Sequence, residues 1–413
     1  MKSSSKSGSI EIPPECLFPA SLHVVGSFCK SLGGLPGAAL SIAAGLHQAG
    51  ALAELAGTSA PGERLSYLDR DFRALPRHLS ARSFPRRFAN STSLVRWLRD
   101  HVRRFGVVDI HGVWAFPGWH AARICHQQGV RFVIHPHGAL DPFDLRKKSL
   151  LKRLLGPVFI RPMLARSEAT LLTAPLEAER LVTFGAITKK LIVPLPVILP
   201  DQRGDRLAFR KKMGIPSDAQ VVLFLSRIDY KKGLDFLIPA LGRLKREFPR
   251  LWFVLAGSGG TEFVSKVRGW LLNYGVRWFT SEIGFVSGAD KWDTFAGADI
   301  FALPSLNENF GIANIEAMHA GLPVLISDQV YLHPSISKAK AGVICQTNSA
   351  SVEAKLRQLL DGTFNLSAMG RAGIELVHRN YRVEAATEAL LETYREIVKV
   401  NPRGFGGALT QAT

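Results

Sequence analysis

The sequence is poor in acid, in cysteine and in unbroken apolar runs, and each shortage narrows what the chain can be. Only 34 aspartates and glutamates stand against 52 lysines and arginines over 413 residues, a formal net charge of +18. Such an excess points to anionic partners: nucleic acid, an anionic membrane surface or a phosphorylated ligand. The four cysteines (Cys16, Cys29, Cys125, Cys345) are scattered and form no C-x-x-C pair. That argues against a zinc ribbon, a thioredoxin-like site or a disulfide framework, and fits a reducing compartment. Residues 31–53 carry no charge, but Gly33, Gly34, Pro36 and Gly37 interrupt them and His47 and Gln48 lie within. The stretch reads as a glycine loop and a buried helix, not as a membrane span. Glu11, Pro13, Pro14 and Glu15 leave no apolar core for a signal peptide, so residues 1–20 read as a mobile tail.

What is present is ordinary globular material, 46% hydrophobic and 21% charged. Short β-rich runs alternate with helical stretches, the pattern of parallel α/β sheets. Strands are expected at 21–26, 107–112, 130–138, 169–174 and 190–196, then at 220–226, 251–257, 299–305 and 322–327. Helices are expected at 37–49, 91–105, 117–128, 146–165 and 176–184, then at 234–247, 260–273, 289–297 and 312–320. The proline-rich, then polar, segment 193–206 reads as an interdomain linker. It divides the chain into α/β domains at 21–200 and 201–382. A last helix at 383–400 is expected to pack back towards the first domain, and 401–413 reads as a disordered tail.

The chemistry is densest at 298–327, where a strand, the polar loop LNENFG and a helix opening near Ile312 follow one another. Gly321 and Pro323 end that helix. In open parallel sheets ligands bind beyond the carboxyl ends of the strands, and a helix start there offers free N–H groups to an anion such as a diphosphate. Glu308 and Glu316 are wrong for holding phosphate but suited to accepting hydrogen bonds from sugar hydroxyls. A second strand–loop–helix unit at 223–238 carries Arg227 and Lys232, cations able to neutralise a diphosphate, with Gly233 at the turn.

Together these two segments resemble the retaining glycosyltransferases of family 4, the "glycosyl transferases group 1" family. The resemblance rests on an E-x7-E signature (Glu308 to Glu316) and an R-x4-K pair (Arg227, Lys232), and covers most of 220–330. It implies a GT-B architecture, two Rossmann-like doubly wound parallel-sheet domains facing across a cleft. It further implies that Glu316 grips the nucleotide ribose. Glu308 and Asn309, with the amides of Phe310, Gly311 and Ile312, would hold the donor sugar and diphosphate, and Arg227 and Lys232 the diphosphate. In the first half, residues 23–50 look like the family's first strand, glycine loop and helix, with Gly33 and Gly34 approaching the donor. The segment 135–155 resembles the HG-x-L-D-P stretch of bacterial exopolysaccharide members. It implies that His137 is the active-site histidine and His135 a neighbour without that role. After KKLIVP the family continues differently from the LPVILP found here, which touches the hinge rather than the site.

The implied reaction moves a sugar from a nucleoside diphosphate sugar to an acceptor hydroxyl with retention, and no cofactor or metal is expected. Asp69-Arg70-Asp71 is a formal D-x-D triplet, but it lies in an arginine-rich stretch with no apolar strand before it. Two rival readings remain: a sugar-nucleotide epimerase or a phosphorylase of the same architecture, and a basic polyanion or nucleic-acid binder. The second lacks zinc-finger spacing, an RNP-like pattern and a P-loop, so no nucleic-acid partner is expected. Charge points elsewhere. Residues 63–104 hold eleven arginines against four acids, and 145–166 hold seven cations and no acid. Both segments look amphipathic, as interfacial helices do. A lipid-linked or oligosaccharide acceptor is therefore expected at the cytoplasmic face of a bacterial membrane, in exopolysaccharide, capsule or lipopolysaccharide assembly.

Overall fold

The computed structural model describes residues 18–28, 34–59, 75–83, 87–201 and 204–399. Gly33, the D-x-D triplet and the tail 401–413 lie outside them, as do Cys16 and Cys29.

Strands alternate with helices as the hydrophobic pattern dictates, and they assemble into two wholly parallel sheets among the described residues. The first sheet contains β1 (Ser21–Ser27), β2 (Ala53–Ser59), β3 (Arg77–Ala81), β4 (Val107–His111), β5 (Phe132–His135), β6 (Ala169–Leu172) and β7 (Lys190–Ile192), in the order β3-β2-β1-β4-β5-β6-β7. The second contains β8 (Gln220–Leu225), β9 (Leu251–Ala256), β10 (Thr280–Gly284), β11 (Ile300–Leu303), β12 (Val324–Ser327) and β13 (Gly342–Cys345), in the order β10-β9-β8-β11-β12-β13. In each sheet the strand order reverses beside the first strand, the position where doubly wound folds open a ligand crevice.

Both faces of each sheet are covered, which is why the strands read as nearly continuous apolar runs. In the first domain, Leu22, Val24, Val108, Ile110 and Ile134 face α2 (Thr92–His101) and α3 (Phe116–Gln128). The alternate residues face α1 (Gly34–Gln48), and this second face is mixed: Val25 and Val133 lie beside the buried polar groups His23, Asp109, His111 and His135. The long last helix, Val383–Lys399, lies against α1. Gly45 makes this approach possible, because a Cβ there would stand 2.2 Å from Thr387 Oγ1. Arg131 donates to Val398 O at 2.9 Å and so ties the helix end to the first sheet.

Several sequence expectations are corrected. The strand expected over 130–138 ends at His135. The helix expected over 146–165 is three pieces: Ser149–Leu155, a π-helical turn at Gly156–Ile160, and Arg161–Arg166. Pro157 and Pro162 lack the N–H groups that a regular helix would need there. β2, β3, β10 and β13 were not expected. β3 and β10 are edge strands in which only Ser80 is buried, and β2 reads AELAGTS, with Thr58 its one β-branched residue. The linker expectation at 193–206 is partly replaced by packing: Val193, Leu195 and Val197 are buried, and Val197 bridges to Arg382. The basic face of 91–105 is solvated, but its apolar face is not available to a membrane. Leu94, Leu98, Val102 and Phe105 are all buried in the first domain's core.

Candidate active site

The carboxyl ends of β1, β5, β8 and β11 converge on a cleft of about 490 Å³ between the two sheets. Its second-domain wall carries Arg227, Lys232, Glu308, Asn309, Phe310, Gly311 and Ile312; its first-domain wall carries Gly34 and His137. Glu316, one turn into the helix Ile312–His319, is reached through an adjoining recess lined by Ile312 and Leu195. The described residues expected at the site are thus brought together, although Gly34 and Glu316 are 282 positions apart in the chain.

Each is held for a local reason. Gly233 closes the turn after Lys232 with φ 73°, and a Cβ there would lie 2.0 Å from Pro304 O. The loop can therefore press Lys232 against the Glu308 loop only through glycine. Lys232 is buried and donates to the Glu308 carboxylate. Arg227 is exposed in the cleft, with no carboxylate partner among the described residues. Gly311, with φ 73°, opens the helix Ile312–His319 and leaves its first N–H groups facing the cleft. Glu316 accepts from Lys291 at 2.7 Å.

His137 sits in the turn after β5 in the left-handed region, with φ 52°, followed by Gly138 at φ 77°. A non-glycine residue there is strained by roughly 1–2 kcal/mol, a cost borne by a fixed position at the cleft. Its ring stacks on His111 and His135 at 5.2 and 5.4 Å, and its Nε2 lies 2.9 Å from His111 Nδ1. Desolvation, reinforced by His135, lowers its pKa to about 3, so the ring is neutral near pH 7. His135 has a different place: it is buried, and its Nδ1 donates to Asp109 Oδ1 at 2.8 Å.

Further contacts hold the two walls together. Lys231 donates to Asp144 at 2.7 Å across the cleft and stands 4.9 Å from the Phe143 ring. Tyr331 donates to Asp141, which also caps the short helix Pro142–Leu145 through Phe143 N. Buried Glu177 accepts from Gly138 N and Thr173 N, both at 2.8 Å. With its amide nitrogen turned towards Glu177, Asn309 donates to Oε1 at 3.0 Å and accepts from Thr173 at 3.2 Å. Burial raises the Glu177 carboxyl above its usual range. Lys231 had a visible signal, its place beside Lys232, and Asp141 is the aspartate of the HG-x-L-D-P stretch; Asp144 and Glu177 had none, because Lys231 and Asn309 lie in the other half of the chain. His23, Asp109 and His111 have the composition of a metal-ligand set. In this structure their ring nitrogens are engaged with Ser21, with each other and with His137.

Comparison with known proteins agrees with this arrangement. Residues 205–375 match the family "Glycosyl transferases group 1", and residues 33–197 match the "Glycosyl transferase 4-like domain". The chain belongs to the GT-B glycosyltransferases of group 1. A D-inositol 3-phosphate glycosyltransferase of Segniliparus rotundus is 28% identical over 272 residues, covering 63% of this chain and 57% of the relative. The chain thus spans little more than half the length of that relative. Among solved structures, Anabaena Alr3699/HepE in complex with UDP-glucose superposes with a TM-score of 0.74 at 15% identity, over 92% of this chain and 100% of that one. WaaG, a glycosyltransferase involved in lipopolysaccharide biosynthesis, superposes at 0.62 and 18% identity, over 93% and 100%. At these identities the likeness is one of fold.

Proposed function

We propose that the protein transfers a sugar from a nucleoside diphosphate sugar to a hydroxyl of a saccharide acceptor, with retention at the anomeric carbon. The observation that carries the reading is the convergence of Arg227, Lys232 and the helix start at Gly311 on one wall, opposite His137 on the other. As the glycosidic bond stretches, negative charge grows on the diphosphate, and fixed cations and N–H groups are what stabilise it. Glu308 holds Lys232 in place before the donor arrives and accepts from sugar hydroxyls afterwards. Glu316 takes the nucleotide ribose, exchanging its bond to Lys291. His137 meets the sugar near the reacting carbon. The protein needs no metal for this step, since protein cations carry the leaving group's charge. The test is turnover with and without EDTA; loss of transfer that Mg²⁺ or Mn²⁺ restores would overturn the metal-free mechanism. UDP-glucose is the first donor to try, because HepE is solved with it.

The acceptor is proposed to be lipid-linked, met at the cytoplasmic membrane face during bacterial cell-surface polysaccharide assembly. No helix among the described residues is long and apolar enough to cross a membrane. Peripheral contact is supported by the helix Ser149–Leu155, whose Leu150 and Leu154 are 73% and 64% exposed among Lys148, Lys152 and Arg153. Leucines pointing outwards in a ring of cations suit an anionic interface. At Val158, four positions beyond Leu154, opens a hollow of about 200 Å³ walled by Phe116, Trp119, Phe159 and Met163, with Arg123 and Arg166 also lining it.

A further inference from the structure

A chain of imidazoles runs from the interior of the first domain to the cleft. The register places His23 of β1 beside Asp109 of β4, and His111 of β4 beside His135 of β5. His23 Nε2 lies 3.1 Å from Ser21 Oγ, and its Nδ1 lies 3.1 Å from His111 Nε2. His111 Nδ1 then lies 2.9 Å from His137 Nε2. Ser21, His23 and His111 are buried. Asp109 flanks the chain, 3.9 Å from His23 Nδ1 and 3.7 Å from His111 Nε2, and accepts from His135 and, at 2.5 Å, from Tyr394 of the last helix.

A neutral imidazole carries one N–H and one lone pair. Burial keeps His23 neutral, with a pKa lowered to about 4, and holds His111 well below its usual range. Three neutral rings linked end to end can satisfy both links in only two ways: all protonated at Nδ1, or all at Nε2. Any mixed state sets two N–H groups, or two lone pairs, face to face in a buried place. Ser21 suits both ends, since its hydroxyl either donates to His23 or accepts from it while turning to Leu52 O at 3.4 Å. The rings therefore choose together, and their choice decides whether His137 shows an N–H or a lone pair at Nδ1.

We propose that His111 and His23, flanked by Asp109, are positioning residues that set the tautomer of His137 and hence the ring nitrogen it presents to the cleft. The proposal rests on the reading that His137 acts there. It goes beyond that reading by placing control of the active-site imidazole two strands away, beneath the last helix.

Two-bond ¹H–¹⁵N spectra of protein labelled at histidine nitrogens test it, with His137 assigned through His137→Gln. In the wild type near pH 7, His23, His111 and His137 are expected to share one tautomer, mixed states staying below about a tenth, because a mixed state leaves a buried hydrogen bond unmade, which weighs roughly tenfold. His111→Phe keeps a stacked ring but removes both nitrogens, and the tautomer ratio of His137 should change several-fold. His23→Phe, one link further in, should shift it in the same sense and serves if the first variant does not fold. Unlike tautomers on the linked rings of the wild type, or a His137 unmoved in the variant that folds, would overturn the proposal. Unimpaired sugar transfer by His137→Ala would instead sink the functional reading and leave the tautomer result standing.

Discussion

Lys232 and Gly233 show what a single position does here. The ammonium is buried against Glu308, and the glycine after it takes a conformation and a contact with Pro304 that a side chain would obstruct. Lys232→Ala should slow sugar transfer about 10- to 150-fold, the worth of one charge-assisted contact of roughly 1.5–3 kcal/mol, read as kcat/KM. Gly233→Ala should lower the melting temperature, since left-handed strain of about 1–2 kcal/mol adds to the clash. Unchanged stability would mean that the loop has another conformation open to it. At this scale the sequence was most legible for residues that share a local motif: Glu308 with Glu316, and Arg227 with Lys232, each lie within one strand–loop–helix unit. Asp109 and His111 were legible only as part of a strand. Their chemistry comes from His23 and His137, 86 and 26 positions away from the nearer of the two, and register is not written in composition.

Among the elements, the two basic segments part company. The helix Thr92–His101 has Leu94 and Leu98 buried, so its arginines form a solvated face, whereas Ser149–Leu155 turns Leu150 and Leu154 outwards. Replacing Leu150 and Leu154 with serine should abolish most flotation with anionic liposomes while leaving nucleotide binding intact. Reversing charge at Arg96, Arg99 and Arg103 should only reduce it, through the electrostatic attraction of about 1 kcal/mol per cation near the surface. Equal recovery on neutral and anionic vesicles would contradict the electrostatic part. Helical period identified both segments as amphipathic. It could not say which apolar face the sheet already covers, because that depends on the crossover of α2 against α3.

Across the whole molecule, the buried imidazoles make stability depend on pH. His23 and His137 have folded-state pKa values of about 4 and 3, below the ordinary 6.5. As pH falls below 6.5 the unfolded chain takes up protons that the native state does not, so stability should decline from there towards pH 4. A melting temperature flat from pH 7 to 4 would contradict neutral burial of these rings. The two-domain α/β plan was legible from alternating apolar runs. The latches that set the cleft, Lys231 to Asp144 and Tyr331 to Asp141, join residues about 90 and 190 positions apart and left no local pattern to read.

The central claim is that the cleft binds a nucleoside diphosphate sugar through Arg227, Lys232 and the Glu308 loop. Thermal shift against a panel of UDP and GDP sugars, run on the wild type and on Arg227→Ala/Lys232→Ala, tests it most directly. At a hundredfold excess over Kd a true donor stabilises the native state by about 2.7 kcal/mol. At least one donor should raise the melting temperature of the wild type, and the double variant should lose that rise. A panel without effect, or an equal rise in both proteins, would contradict the account.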